Sequence, residues 1–227
     1  MMNAEQTLLR KLVDEHPALL KQILAFNFLP ADYLHASQRP RFCGGADIAP
    51  AFWESGYSRR ALSSLILQQF NLQEKPCLDM QRWEWALALL GRSALERLAR
   101  HIGAAILGTK IRLTVSRDEV LRWTDILGAD VYRFVMTSAG LLRIPNVPPV
   151  SPISPTDEGV AVEAIGYAWI LRSLSEAPME LLDRCKLILP FDTVAVEAPY
   201  DAARDFVLAV LSALETTWCS SFAIAKN

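Results

Sequence analysis

The chain lacks any hydrophobic run long enough to cross a membrane. Its most apolar pieces, IGAAILG and FVLAVLSAL, fall well short of the roughly 18 residues that a spanning helix needs. It also lacks paired cysteines. Cys43, Cys77, Cys185 and Cys219 are far apart, none forms a C-x-x-C pair, and no histidine stands at zinc-ligand spacing from them. Four reduced thiols packed as small hydrophobes are therefore expected. Histidine is scarce, and His16, His35 and His101 are too far apart in sequence to form a local metal site. Excess charge is missing as well: a net charge of -2 offers no general attraction to nucleic acid or to an anionic membrane. The N-terminus, MMNAEQTLLRKLVDEHP, places charges where a secretory signal needs an apolar core, so an intracellular protein is expected. No internal repeat is visible.

Apolar side chains are plentiful. At 52% hydrophobic, the 227 residues can fill a substantial core, in one large domain or two small ones. Helical signals dominate the pattern. AEQTLLRKLVDE carries an apolar stripe at Leu8, Leu9, Leu12 and Val13 and should end at His16-Pro17, where a second helix, PALLKQILAF, begins. Residues 41–58 read as a loop. Ser58 is the expected cap of SRRALSSLILQQF, and Asp79 that of MQRWEWALALL. Ser93 with Glu96, and Ser116 with Glu119, have capping-box spacing before LERLARHIGAAIL and VLRWTDIL, with Gly108 and Gly128 as stops. VYRFVMTSAGLL follows as a third, buried helix. Dense proline from Ile144 to Pro155 excludes helix there and implies a linker or an extended strap. Helices are expected again through GVAVEAIGYAWILRSL and from about Asp201 to Thr217, and RCKLILPF is the best strand candidate. The expected fold is mainly α: a single helical-bundle-like domain with a proline-rich central strap and at most one or two short strands.

The chemical motifs are weak. GAAILGTK resembles a phosphate-binding loop, but Thr109 precedes Lys110 where the motif needs the reverse order, and the segment ends a helix instead of opening one. Gly103 reads better as a point of close helix packing. His101 lies beside Arg97 and Arg100 and is expected at the surface or half-buried. Basic residues predominate from Arg92 to Arg122 and acids from Asp157 onward, which allows either ordinary solvated surfaces or two oppositely charged docking faces. Trp83 and Trp85, two apart on an expected helix, would point to nearly opposite sides, so either that helix is sandwiched and both are buried, or one faces solvent as an interface anchor. By side-chain type, Arg59, Arg60, Trp83 and Trp85 are the partner-binding candidates.

The segment FNFLPADYLHASQRP, Phe26 to Pro40, concentrates aromatics, two prolines and His35. A general base needs a nucleophile and an orienting partner, and no G-x-S-x-G motif accompanies His35. A His35 that bonds local backbone is the plainer reading. The run Phe28, Pro30, Tyr33, Leu34, His35, Pro40 resembles the N-terminal signature of the SctK family, with YscK and PscK among its members. These are accessory cytoplasmic proteins of bacterial type III secretion injectisomes. LALLGRSALERLARHIGAAILGTKIR, CKLILP and the final TWCSSF resemble further blocks of the family, in the same order along the chain. Arg39 departs from the pattern, standing where a leucine is often seen.

The resemblance implies an N-terminal helical extension over residues 1–25 and an SctK-like helical domain over 26–222. The proline-rich connection at 144–155 falls inside that domain, and a tail follows at 223–227. It implies a non-enzymatic adaptor of the sorting platform, with neither cofactor nor metal. That adaptor would link the inner-membrane ring protein SctD to the pod protein SctQ, and through SctQ reach SctL and the ATPase SctN. Its place would be the bacterial cytoplasm, at the cytoplasmic face of the inner membrane and held there by protein contacts alone. Two rivals stay open. SALERLARHIG followed by SRDEVLRWTDIL has the look of a helix-turn-helix DNA-binding regulator, although the turn is long and the net charge unfavourable. A small His35-dependent enzyme is the other.

Overall fold

The computed structural model describes residues 13–14, 16–42, 52–53, 55–79, 81–142, 144–145 and 158–220. Most of the expected first helix, the Gly44-Gly45-Pro50 loop, the prolines of 146–155 and the tail 223–227 lie outside the described residues. The principal helices are α1 (Pro17–Phe28), α2 (Gly56–Gln69), α3 (Arg92–Ile106), α4 (Arg117–Leu127), α5 (Ala129–Thr137), α6 (Glu158–Ser173), α7 (Met179–Ile188) and α8 (Tyr200–Leu214). Short helical turns supplement them, and no strand occurs among the described residues. The protein is mainly α, as expected.

Local chemistry sets many of the boundaries. Pro17 opens α1, where its missing N–H has no intrahelical partner to lose. Gly128, with φ +82, ends α4 and leads directly into α5, in backbone geometry that side chains disfavour. Ser116 holds the N-cap position of α4, and Asp118 and Glu119 occupy its first turn, favourably placed against the helix dipole. Other expectations need correction. Ser55, not Ser58, caps α2, and its side chain accepts the Ser58 N–H. Gly91 caps α3, so Ser93 lies inside the helix and Glu96 pairs with Arg92 at 3.3 Å instead of closing a capping box. Gly108 does not stop the chain from coiling; it opens the short helix Gly108–Arg112. The expected helix after Asp79 shrinks to Trp85–Ala88.

The strand candidate RCKLILPF is also overturned, because its first residues belong to α7. Leu181, Cys185 and Ile188 fall at helical spacing and are all buried, so the 3.6-residue stripe decides over the β-tolerance of a short run. Leu189 turns extended ahead of Pro190, and there the helix ends.

The chain divides into two compact units. Residues 1–80 and 178–191 form the first, and residues 81–177 and 192–227 the second. In the first, Ala31, Leu34, Phe42, Leu62, Ile66 and Leu187 pack as an apolar cluster. The second is built on α3 and α6. A Cβ added to Gly103 would lie 1.8 Å from the Val162 carbonyl oxygen, and one on Gly166 would lie 1.8 Å from that of Ala99. The two helices therefore run backbone against backbone, which glycine alone permits. Trp169 meets the Phe206 ring of α8 edge-on at 5.5 Å, and Trp123, Leu127, Val131 and Val135 extend the core through α4 and α5.

Candidate functional site

The Phe26–Pro40 segment forms a structural corner of the first unit. Pro30 begins the short helix Pro30–Tyr33 directly after α1. Tyr33 folds back so that its ring stacks on Phe26, centroids 5.1 Å apart, and its hydroxyl donates to the Phe26 carbonyl at 2.8 Å. Burial pushes the Tyr33 phenol well above its ordinary pKa, so it stays a neutral donor. Leu34 is buried, Phe28 is 44% exposed, and Pro40 lies exposed in the short helix Arg39–Phe42.

His35 caps the 3-10 turn Ala36–Gln38: its Nδ1 accepts the Ser37 N–H at 3.2 Å and lies 2.8 Å from the Ser37 hydroxyl. Sequence reasoning did not anticipate that serine as a neighbour. The Ser37 hydroxyl also accepts the Phe191 N–H at 2.9 Å, and the His35 N–H donates to Leu187 O at 2.8 Å. This is the bonding of a turn fastened to the end of α7, in keeping with the plainer reading of His35.

Beneath the corner, buried polar side chains bond backbone atoms of helix ends and of the segments between helices. Gln38 donates from Nε2 to the Lys186 and Leu189 carbonyls, at 2.6 and 2.8 Å, and so caps the C-terminal end of α7. The Asn27 amide donates to Cys77 O at 3.0 Å and accepts the Cys77 N–H at 2.7 Å. Arg184 is 0% exposed, and its guanidinium donates to the carbonyls of Glu180, Leu72 and Asn27. Burial lowers the pKa of that guanidinium and raises that of the nearby Cys77 thiol.

The partner-binding candidates separate. Arg59 pairs with Asp32 at 3.2 Å, and Arg60 is exposed. Trp83 is half-buried in a turn, whereas Trp85 is 0% exposed and has no surface to offer a partner. The helix expected to carry both tryptophans begins only at Trp85, so the opposite-sides geometry does not arise.

The basic and acidic stretches meet inside the second unit. Arg97 pairs with Glu215, and Arg100 with Glu163. These two arginines, available in principle to DNA phosphates, are thus engaged by carboxylates. His101 is a correction: it is buried, its Nδ1 lies 2.8 Å from Arg97 O, and its ring sits edge-on to Phe134. Burial holds its pKa below the ordinary value. Burial, reinforced by Glu96 and Glu163, pushes the Tyr167 phenol up to about 12.

Sequence reasoning missed a groove of about 770 Å³ in this unit, lined by the 81–84 turn, Glu176 and one face of α8. The helical spacing of Asp201, Asp205, Leu208 and Ser212 carried the signal for that face. What it could not show was the turn packed alongside.

Among the described residues, no three His, Cys, Asp or Glu side chains gather as a metal site, and no helix is long and apolar enough to cross a membrane. No curated protein and no solved structure matches the chain. The family model for YOP proteins translocation protein K (YscK) matches residues 22–215, from within α1 to just past the end of α8. On that match the chain belongs to the YscK family, and it is a protein of type III secretion.

Proposed function

We propose that this chain is a non-enzymatic adaptor of the injectisome sorting platform, joining the cytoplasmic domain of the ring protein SctD to the pod protein SctQ. The observation that carries the reading is the family match over residues 22–215. Two features support it. The signature residues build a fastened corner, in which Tyr33 and His35 spend their polar atoms on backbone and on Ser37. The second unit carries an open, charged groove suited to a macromolecular partner more than to a small substrate.

The adaptor works by multivalent docking at the cytoplasmic face of the inner membrane. One chain engaging two partners makes the second contact effectively intramolecular, so modest individual affinities suffice to position a pod. Through SctQ the chain reaches SctL and the ATPase SctN without touching them.

The test is co-purification of the full chain with SctQ and with the SctD cytoplasmic domain of the same secretion system. A ternary complex is expected. Binding to neither partner by the folded protein would overturn the reading.

A further inference from the structure

The groove of the second unit carries an unbalanced charge. Glu84, Glu176, Asp201 and Asp205 contribute four carboxylates, against the two guanidinium groups of Arg82 and Arg204. Arg204 is already committed: it contacts Asp201 at 3.1 Å and Asp205 at 2.9 Å. The α8 face that lines the groove is charged at its N-terminal end and turns apolar at Leu208 and Ala209.

Glu84 supplies an independent observation. It lines the groove yet is only 1% exposed. Its Oε1 accepts from Arg82 at 2.7 Å, but its Oε2 has no hydrogen-bond partner among the described residues. A carboxyl oxygen held out of water without a donor is costly, and native structures leave few of them. The wall of the groove therefore holds a buried carboxylate oxygen that the chain beside it does not satisfy.

We propose that this groove docks a basic, partly apolar segment of a protein partner. A Lys or Arg of that segment would sit against the exposed carboxylates of Asp201 and Asp205, while an adjoining apolar residue covers Leu208 and Trp83. Charge complementarity selects this occupant: an acidic segment would face an uncompensated excess of carboxylates, and a wholly apolar one would strand them away from water. Trp83, half-buried at the edge, suits an anchor whose ring is only partly covered in the free protein. The inference rests on the adaptor reading, and assigns one of its two docking surfaces.

The experiment measures the affinities of purified SctQ and of the SctD cytoplasmic domain for the full chain and for its variants, at low and at high salt. In the double variant Asp201→Lys/Asp205→Lys, one of the two partners should lose at least about tenfold in affinity, while the other is unaffected. Glu84→Gln removes a carboxylate from the groove wall, and should weaken the same partner by a smaller factor. Wild-type affinity for that partner should fall with salt. The control Asp118→Lys/Asp125→Lys, on exposed positions of α4, should change nothing. A Lys→Glu or Arg→Glu change in the partner that restores binding to the double variant would complete the case. If both partners bind the wild type and the double variant equally well, the groove proposal is wrong and the adaptor reading survives. If neither partner binds the wild type, both fall together.

Discussion

The two units solve the same problem, burying helices without stranding polar backbone, by opposite means. The first is made of short pieces with many ends, and each end exposes N–H and C=O groups that the helix itself does not satisfy. Asn27, Gln38 and Arg184 supply the missing partners from inside the core. The second unit contains α3, α6 and α8, longer helices whose backbone groups mostly satisfy one another. It can therefore press two helices together, and it does so at Gly103 and Gly166. Where ends are frequent, specificity resides in directional polar clamps. Where helices are long, it resides in what is omitted from the side chain.

The sharpest way to break this contrast is Gly166→Ala. A methyl group 1.8 Å from the Ala99 carbonyl cannot be accommodated by rotating a side chain, so α3 and α6 must part. The loss in urea denaturation should reach or exceed the upper end of the about 1–3 kcal/mol usual for overpacking. Gly91→Ala is its control, because an added Cβ there meets nothing within 4 Å. If both changes cost the same, the close approach is not what holds the second unit.

Arg184→Met tests the other half of the contrast. Methionine keeps much of the apolar stem but removes the guanidinium donor from the carbonyls of Leu72, Asn27 and Glu180. About 3 kcal/mol should be lost from the first unit, read by hydrogen exchange in α1 and α7. A neutral or stabilising outcome would mean that the buried charge costs as much as its bonds return.

The smallest effect concerns pH. His101 is buried, which lowers its folded pKa below the 6.5 of the free side chain. Its share of stability is complete above about pH 6.5 and is lost as the pH falls toward the folded value, because the unfolded chain takes up the proton first. Unfolding midpoints measured between pH 7 and pH 5 should therefore fall less steeply in His101→Gln than in the wild type. Equal slopes would show that the second unit tolerates a charge where its packing says it should not.

Legibility from sequence followed the same division. Pro17 and Gly128 were readable, because each acts on its own backbone. Gly103 was readable as a packing point, since a glycine inside an amphipathic helix has few other uses. Gln38 was not: the carbonyls it caps lie about 150 residues further along the chain, and nothing local marks them. The RCKLILPF run was misjudged because so short an apolar stretch does not separate a strand from a buried helical turn. Trp85 and His101 failed for a related reason, as burial is a property of what packs around a side chain. The signature corner was legible as a local backbone motif, whereas the groove needed two distant segments side by side.

One feature of the first unit bears on how the chain is made. Its α7 clamp, bound by Gln38 and His35, is translated only after the residues 81–177 of the other unit. At ribosomal speeds that delay is on the order of ten seconds. The earlier-made part of the first unit is thus completed late, and until residues 186–189 are made its partner carbonyls do not exist. A fragment cut at residue 80 would keep Asn27 with its Cys77 partner but leave Gln38 and the His35 N–H without the α7 carbonyls they close upon.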